Sequence, residues 1–338
     1  MDHQSTLDEA LDRLHRYGPE FAGWLSNHGP MAVEAMARRG HDHDVHPWTD
    51  RYLPRLEDAP GSGRPLGDEW REALGRPTRA GDWLATFRVE LADEPWAAVL
   101  ARWWPRLLPG IAAGATHGVI RVGHASRSLR AAVTEARVAE LAHALAYWAM
   151  RWQSVPLVTL GGARALGEVL EGLPVVADQS GGIRDRLAQL PGTPGYLEAA
   201  AGGAPAGDAR EVPARLESLV DAAVRGYARW APGDPTMLVH AATAPNAVLA
   251  TLPSLPPELR PSSLEAAWSA TAAVVAAYRP PVSDQPTPGP AAEDAFEVTV
   301  ALGSEHLIKF ADTALSSFER TGDRTALAAI GQAVRHDA

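Results

Sequence analysis

Ser5-Thr6-Leu7-Asp8-Glu9-Ala10-Leu11-Asp12-Arg13-Leu14 carries the pattern on which the fold turns. Ser5 with Asp8, a variant, and Thr6 with Glu9 make two overlapping capping-box pairs, and Leu7, Leu11 and Leu14 then form an apolar stripe at helical spacing. The helical pattern continues along the chain. It predicts helices near 31–39, 67–75, 83–92, 95–103, 118–131, 134–152, 163–171, 182–190, 212–230, 261–278, 291–320 and 323–334. Sustained period-2 alternation is nearly absent, so the fold class reads as all-α.

Proline and glycine mark the loops: Ala59-Pro60-Gly61-Ser62-Gly63, Ala201-Gly202-Gly203-Ala204-Pro205-Ala206-Gly207, and the run 280–290. None has the length or character of a flexible tether, and the histidines of interest lie on both sides of each. Residues 1–338 are therefore expected to form a single large helical domain with Pro/Gly-rich loop insertions. One segment dissents. Pro156-Leu157-Val158-Thr159-Leu160, followed by Gly161-Gly162, a short helix and Pro174 to Asp178, sketches a dinucleotide site. Its glycine spacing is wrong and other parallel strands are missing, so a helix–turn–helix with a glycine-rich turn is the expectation.

A hydrophobic fraction of 46% and eleven tryptophans fit a folded globular chain. The net charge of −10 argues against binding to nucleic acid or anionic membranes. No apolar stretch approaches the ~20 residues that span a bilayer, and Met1 to Thr6 carries no signal pattern, so a soluble, cytoplasmic protein is expected. With no cysteine, thiolate metal sites, disulfides and cysteine nucleophiles are excluded, and any transition metal must bind histidine or carboxylate.

The 31 basic residues are 30 arginines and one lysine, Lys309, three residues after His306 in Glu305-His306-Leu307-Ile308-Lys309-Phe310. At i, i+3 the two side chains share a helix face. Of the twelve histidines, His3 and His336 are terminal, and His15 and His143 read as ordinary helix residues. His41 and His43 fall in a polar run, Gly40-His41-Asp42-His43-Asp44, which reads as a solvated loop able to take up a metal adventitiously. His28, His117, His124, His240 and His306 stand in apolar or small-residue contexts and are the candidate ligands. Neutral imidazoles leave the charge of a divalent ion uncompensated, so an anionic ligand is wanted. Asp312 lies on the His306–Lys309 stripe, a full turn beyond Lys309, whereas Glu305 points about 100° away from His306. His117 and His124 are ~10.5 Å apart along a helix. One of them, His117 by preference, is the ligand, and the other faces substrate or supports the site.

These segments together resemble the questin oxidase family. The resemblance rests on Tyr17-Gly18-Pro19-Glu20-Phe21 with Leu25-Ser26-Asn27-His28-Gly29-Pro30-Met31, and on Thr116-His117-Gly118-Val119-Ile120-Arg121-Val122-Gly123-His124-Ala125. It continues through Ala144-Leu145-Ala146-Tyr147-Trp148-Ala149, His240-Ala241-Ala242-Thr243 and Glu305-His306-Leu307-Ile308-Lys309, in order along almost the whole chain. It implies an oxygenase of secondary metabolism that opens a ring of an anthraquinone-like aromatic polyketide with dioxygen. It also implies a non-haem iron (Fe2+) held by His28, His117 or His124, His240 and His306, with Lys309 carboxylated. Other members are described as Baeyer–Villiger-type oxidases using reduced nicotinamide such as NADPH. A metal-free monooxygenase of that kind is therefore a rival reading, and a non-catalytic binder of hydrophobic polyketides is another.

Carboxylation also has a physical rationale. A protonated lysine repels a metal, but burial between Ile308 and Phe310 lowers its pKa and frees the amine to capture carbon dioxide. The resulting carbamate supplies the missing negative charge, and arginine, which stays charged, could not do so. Tyr17, Asn27, Thr116 and Arg121 are candidates for orienting substrate or supporting histidines. Trp103, Trp104 and Trp148 either line a flat aromatic pocket or pack the core, and packing is the expected role for most.

Overall fold

The computed structural model describes residues 3–281 and 288–337, so Met1, Asp2, residues 282–287 of the proline-rich run and Ala338 lie outside the described residues. The protein is all-α. Its helices group into two compact units, residues 1–154 with 250–256, and residues 155–249 with 257–338.

The first unit holds α1 (His3–Leu14), α2 (Gly29–Arg38), α3 (Asp42–Tyr52), α4 (Trp70–Ala73), α5 (Ala80–Asp93), α6 (Trp96–Leu107), α7 (His117–Ala131) and α8 (Glu135–Met150). Between α1 and α2 a two-residue hairpin pairs β1 (Glu20–Phe21) with β2 (Leu25–Ser26), antiparallel. The stripe Leu7, Leu11 and Leu14 is buried as expected, although α1 begins at His3 and so Ser5 and Thr6 lie inside its first turn. Trp83, Phe87 and Trp103 are buried on one another, Trp104 packs edge-on against Trp148, and the Trp148 indole donates to the Gly110 carbonyl at 2.9 Å. Trp103, Trp104 and Trp148 are thus core residues.

The solvated loop expected at 40–44 is the start of α3. Gly40, at φ +80, ends α2 and lets the chain turn, Asp42 and Asp44 sit in the favourable first turn, and Val45, Trp48, Thr49 and Tyr52 bury one helix face. Polar residues at the helix start hid the amphipathic stripe that follows them.

The second unit holds α9 (Leu166–Gly172), α10 (Ile183–Ala188), α11 (Tyr196–Ala201), α12 (Val212–Trp230), α13 (Pro235–Thr251, its last two residues grouped with the first unit), α14 (Arg260–Tyr278), α15 (Ala295–Leu302), α16 (Glu305–Thr321) and α17 (Thr325–Asp337). Pro156 to Leu160 form no strand, and residues 154–161 connect α8 to α9 without regular structure. The Val158 amide donates to the Ser269 hydroxyl at 2.9 Å, and Gly162 donates to the Gly203 carbonyl at 3.0 Å. The helix expected over 291–320 is two helices, broken where Gly303 adopts φ +80. That break makes Glu305, His306 and Lys309 the opening turns of α16.

Candidate metal centre

Each unit gathers part of the histidine set. In the first unit the hairpin carries His28 to the start of α2. Asn27 fixes the approach: its amide nitrogen donates to the Gly18 carbonyl at 3.0 Å, and its amide oxygen accepts from the Gly29 N–H at 3.0 Å. The His28 backbone N–H donates to the Tyr52 hydroxyl at 2.7 Å. His117 begins α7 after three residues with positive φ, Gly114 (+53), Ala115 (+57) and Thr116 (+69). Left-handed alanine and threonine are strained, and such strain persists only where packing over-determines it. The Tyr147 ring, closely packed on Gly114, leaves no room there for a Cβ.

The outcome of that turn is a pair. His28 Nε2 and His117 Nε2 lie 2.7 Å apart, both residues buried. His117 Nδ1 faces the Gly114 carbonyl at 2.5 Å. When Nδ1 donates there, the lone pair of a neutral ring is on Nε2, the tautomer a metal requires.

His124 is elsewhere. Its Nδ1 lies 2.7 Å from Glu34 Oε2, and Arg127 grips the same carboxylate through Nε at 2.8 Å and Nη2 at 2.5 Å. Burial pushes Glu34 up, but Arg127 and His124 outweigh it and hold the carboxyl down to about 2. Seven residues of α7 thus separate a histidine facing another histidine from one facing a carboxylate. Arg121, between them, is buried and bidentate to Glu140, Nε to Oε1 at 2.6 Å and Nη2 to Oε2 at 2.8 Å. His15 Nε2 shares Glu140 at 2.9 Å and stacks on His143. Burial opposes ionisation of Glu140, yet Arg121 and His15 bring it to about 2. Arg121 Nη1 and the Thr116 hydroxyl are buried and have no hydrogen-bond partner among the described residues. Tyr17 is half-buried and bridges Asp58 through its backbone. The two buried carboxylates, Glu34 and Glu140, carry no mark in the sequence beyond their place in apolar runs.

In the second unit α13 and α16 bring His240, His306 and Lys309 together. The His240 and His306 rings meet edge-on with centroids 5.4 Å apart, and Asn246 Nδ2 donates to the Thr313 hydroxyl at 3.1 Å. Because 240 pairs with 306 and 246 with 313, the two helices run side by side in the same direction. α13 escapes sequence reading because it is apolar on nearly every face and contains Pro245. Its start was legible, however: Asp234 caps it, accepting from the Met237 N–H at 2.8 Å, with Pro235 as the first helical residue.

His240 is 1% exposed, and its Nδ1 faces the Met237 carbonyl at 3.0 Å, which again turns Nε2 outward as a potential ligand. Burial, reinforced by the charge of Lys309, pushes His240 down to about 3, so it is neutral at physiological pH. Lys309 is also 1% exposed, and its Nζ has no hydrogen-bond partner among the described residues. Burial lowers it to about 7 against the opposing charge of Glu305. Lys309 lies one turn into α16, and helix side chains lean toward the N-terminus, where the backbone disfavours a cation and favours an anion. A small opening of about 30 Å³, lined by Tyr227, Thr236, His306, Leu307 and Asp337 among others, reaches His306 from the surface. That is room for a water-sized molecule.

No protein-family model and no curated protein matches the chain. Among the described residues, no helix is long and apolar enough to cross a membrane.

Proposed function

We propose that the protein is a non-haem iron oxygenase in which His240, His306 and a carbamate formed on Lys309 hold the ion. The observation that carries this reading is the buried Lys309 Nζ, with no hydrogen-bond partner among the described residues, in the second unit with His240 and His306. A buried primary amine with a pKa near 7 is about half free base at neutral pH, where an ordinary lysine is almost wholly protonated, and the free base is the form that adds to carbon dioxide. The N–C bond forms as the amine loses a proton, giving a carbamate anion and turning a repelled cation into an oxygen ligand. Two imidazoles and one carboxylate-like group are the donor set that suits non-haem Fe(II) oxygenases. The opening beside His306 has room for a water-sized molecule and is too small for a fused aromatic ring system.

Iron supplies the means to activate dioxygen toward an electron-rich ring. The chain supplies the rest. Met237 fixes the His240 tautomer, and burial keeps that ring neutral over the working pH range. Lys309 is itself buried, between the buried Ile308 and Phe310 in sequence, and that burial limits the access of water to a carbamate on its stem. An anthraquinone-like polyketide as substrate and ring cleavage as outcome rest on the family resemblance.

The test is metal analysis of protein purified anaerobically and supplied with iron and bicarbonate. About one iron per chain, falling sharply in His240→Ala, His306→Ala and Lys309→Ala, is the expected result. Oxygen uptake with a hydroxyanthraquinone at an iron content far below one per chain would instead favour the metal-free nicotinamide-dependent route.

A further inference from the structure

At the corner between α2 and α3 lies a second group of donors, unrelated to the buried histidines. A hydrogen-bonded cap locks the turn: the His41 N–H donates to the Met36 carbonyl at 2.9 Å and the Gly40 N–H to the Ala37 carbonyl at 3.1 Å. His41 thereby leaves α2 at a fixed angle and stands immediately before α3. His41 Nδ1 and His43 Nε2 each lie 3.2 Å from Asp44 Oδ2, and the two rings stack with centroids 5.9 Å apart. One ligand atom from each of His41, His43 and Asp44 falls within 4.8 Å of the others.

Those spacings suit a tetrahedral ion. With metal–ligand bonds of about 2.0–2.2 Å, neighbouring donors of a tetrahedron are roughly 3.4 Å apart, close to both histidine–aspartate separations. The site is open, with the His43 side chain 78% exposed and the Asp44 side chain 36%, so water can complete the coordination. Asp42 and Asp44 in the first turn of α3 offset the positive helix end that would otherwise repel a cation. Imidazole nitrogen with a single carboxylate selects a zinc-class transition ion over calcium or magnesium, which prefer all-oxygen shells.

We infer that His41, His43 and Asp44 form a surface site for a zinc-class divalent ion, independent of the iron-binding residues. Unlike them, it needs no carbamate and loads directly from solvent. Zinc titration of the full-length protein by calorimetry near neutral pH tests this. Wild-type protein is expected to bind one more zinc equivalent than His43→Ala, and Asp44→Asn is expected to weaken that equivalent at least about tenfold, since loss of even an outer-shell partner costs about 10–100-fold in affinity. His240→Ala should keep the surface equivalent, and so should His336→Ala, which removes an exposed histidine elsewhere. The inference is overturned if His43→Ala binds zinc with unchanged stoichiometry and affinity, or if His336→Ala lowers binding as much as His43→Ala. His43 is so exposed that its replacement leaves folding intact, which keeps either outcome readable.

Discussion

Lys309 spends the intrinsic advantage of a lysine, its solvated charge, by sitting 1% exposed. A residue in that position is either a liability or a reagent, and the two differ in what replaces it well. Lys309→Ala is expected to lose iron and to regain part of it when acetate or propionate is added, because a small carboxylate can occupy the place of the carbamate; metal content with and without the acid reads this out. Lys309→Arg should be worse than alanine. A guanidinium cannot shed its proton, and an uncompensated buried charge costs about 3–5 kcal/mol, measurable by urea unfolding. The same physics applies at Arg121. Arg121→Met leaves Glu140 buried without its bidentate partner and is expected to destabilise the protein by about 3–5 kcal/mol.

Among the elements, α7 and α8 constrain the His117 region most tightly. A Cβ on Gly118 would come within 2.8 Å of the Trp148 ring and 2.9 Å of its Cα, so one helix would have to move. Gly118→Ala is therefore expected to cost about 1–3 kcal/mol, read from the denaturant midpoint, and to disturb the His28–His117 pair. Helices with one apolar stripe, such as α1 and α12, were legible in the sequence because the stripe repeats at helical spacing. α3 was obscured by the polar residues of its first turn, and α13 by burial on nearly all sides, which erases periodicity. The candidate histidines were legible from their apolar contexts, and so was the anomaly of a single lysine. The split between His117 and His124 was not, because spacing along one helix shows how far apart two rings are but says nothing of what each one meets. Only the packing of α2, which brings both His28 and Glu34, decides that His117 faces an imidazole and His124 a carboxylate.

For the whole molecule, buried ionisable groups set the response to pH. Glu34 and Glu140 are ionised in the folded state down to about 2, below the usual carboxylate value of 4.5. Their contribution to stability is complete above that usual value and is lost as pH falls toward about 2. His143 begins the decline earlier. Burial, with the charges of His15 and Arg121, keeps it neutral well below 6.5, so the unfolded chain binds a proton there that the folded chain does not. Thermal midpoints of the metal-free protein measured across pH are expected to rise above about pH 7, where the folded chain sheds the Lys309 proton and the unfolded chain keeps it, to fall below about pH 6.5 and to fall more steeply below about pH 4.5. His240, neutral down to about 3, acts in the same direction, so a midpoint that stayed level down to pH 4 would contradict the neutral, buried states of His143 and His240.

The central claim is that Lys309 carries a carbamate that completes an iron site with His240 and His306. Experimental electron density for protein crystallised with iron and bicarbonate tests it most directly. The expected map shows a planar three-atom extension on Lys309 Nζ and a metal peak bonded to that group and to both histidine Nε2 atoms. A bare amine on Lys309, with no metal at His240 and His306 under iron-replete conditions, would contradict it.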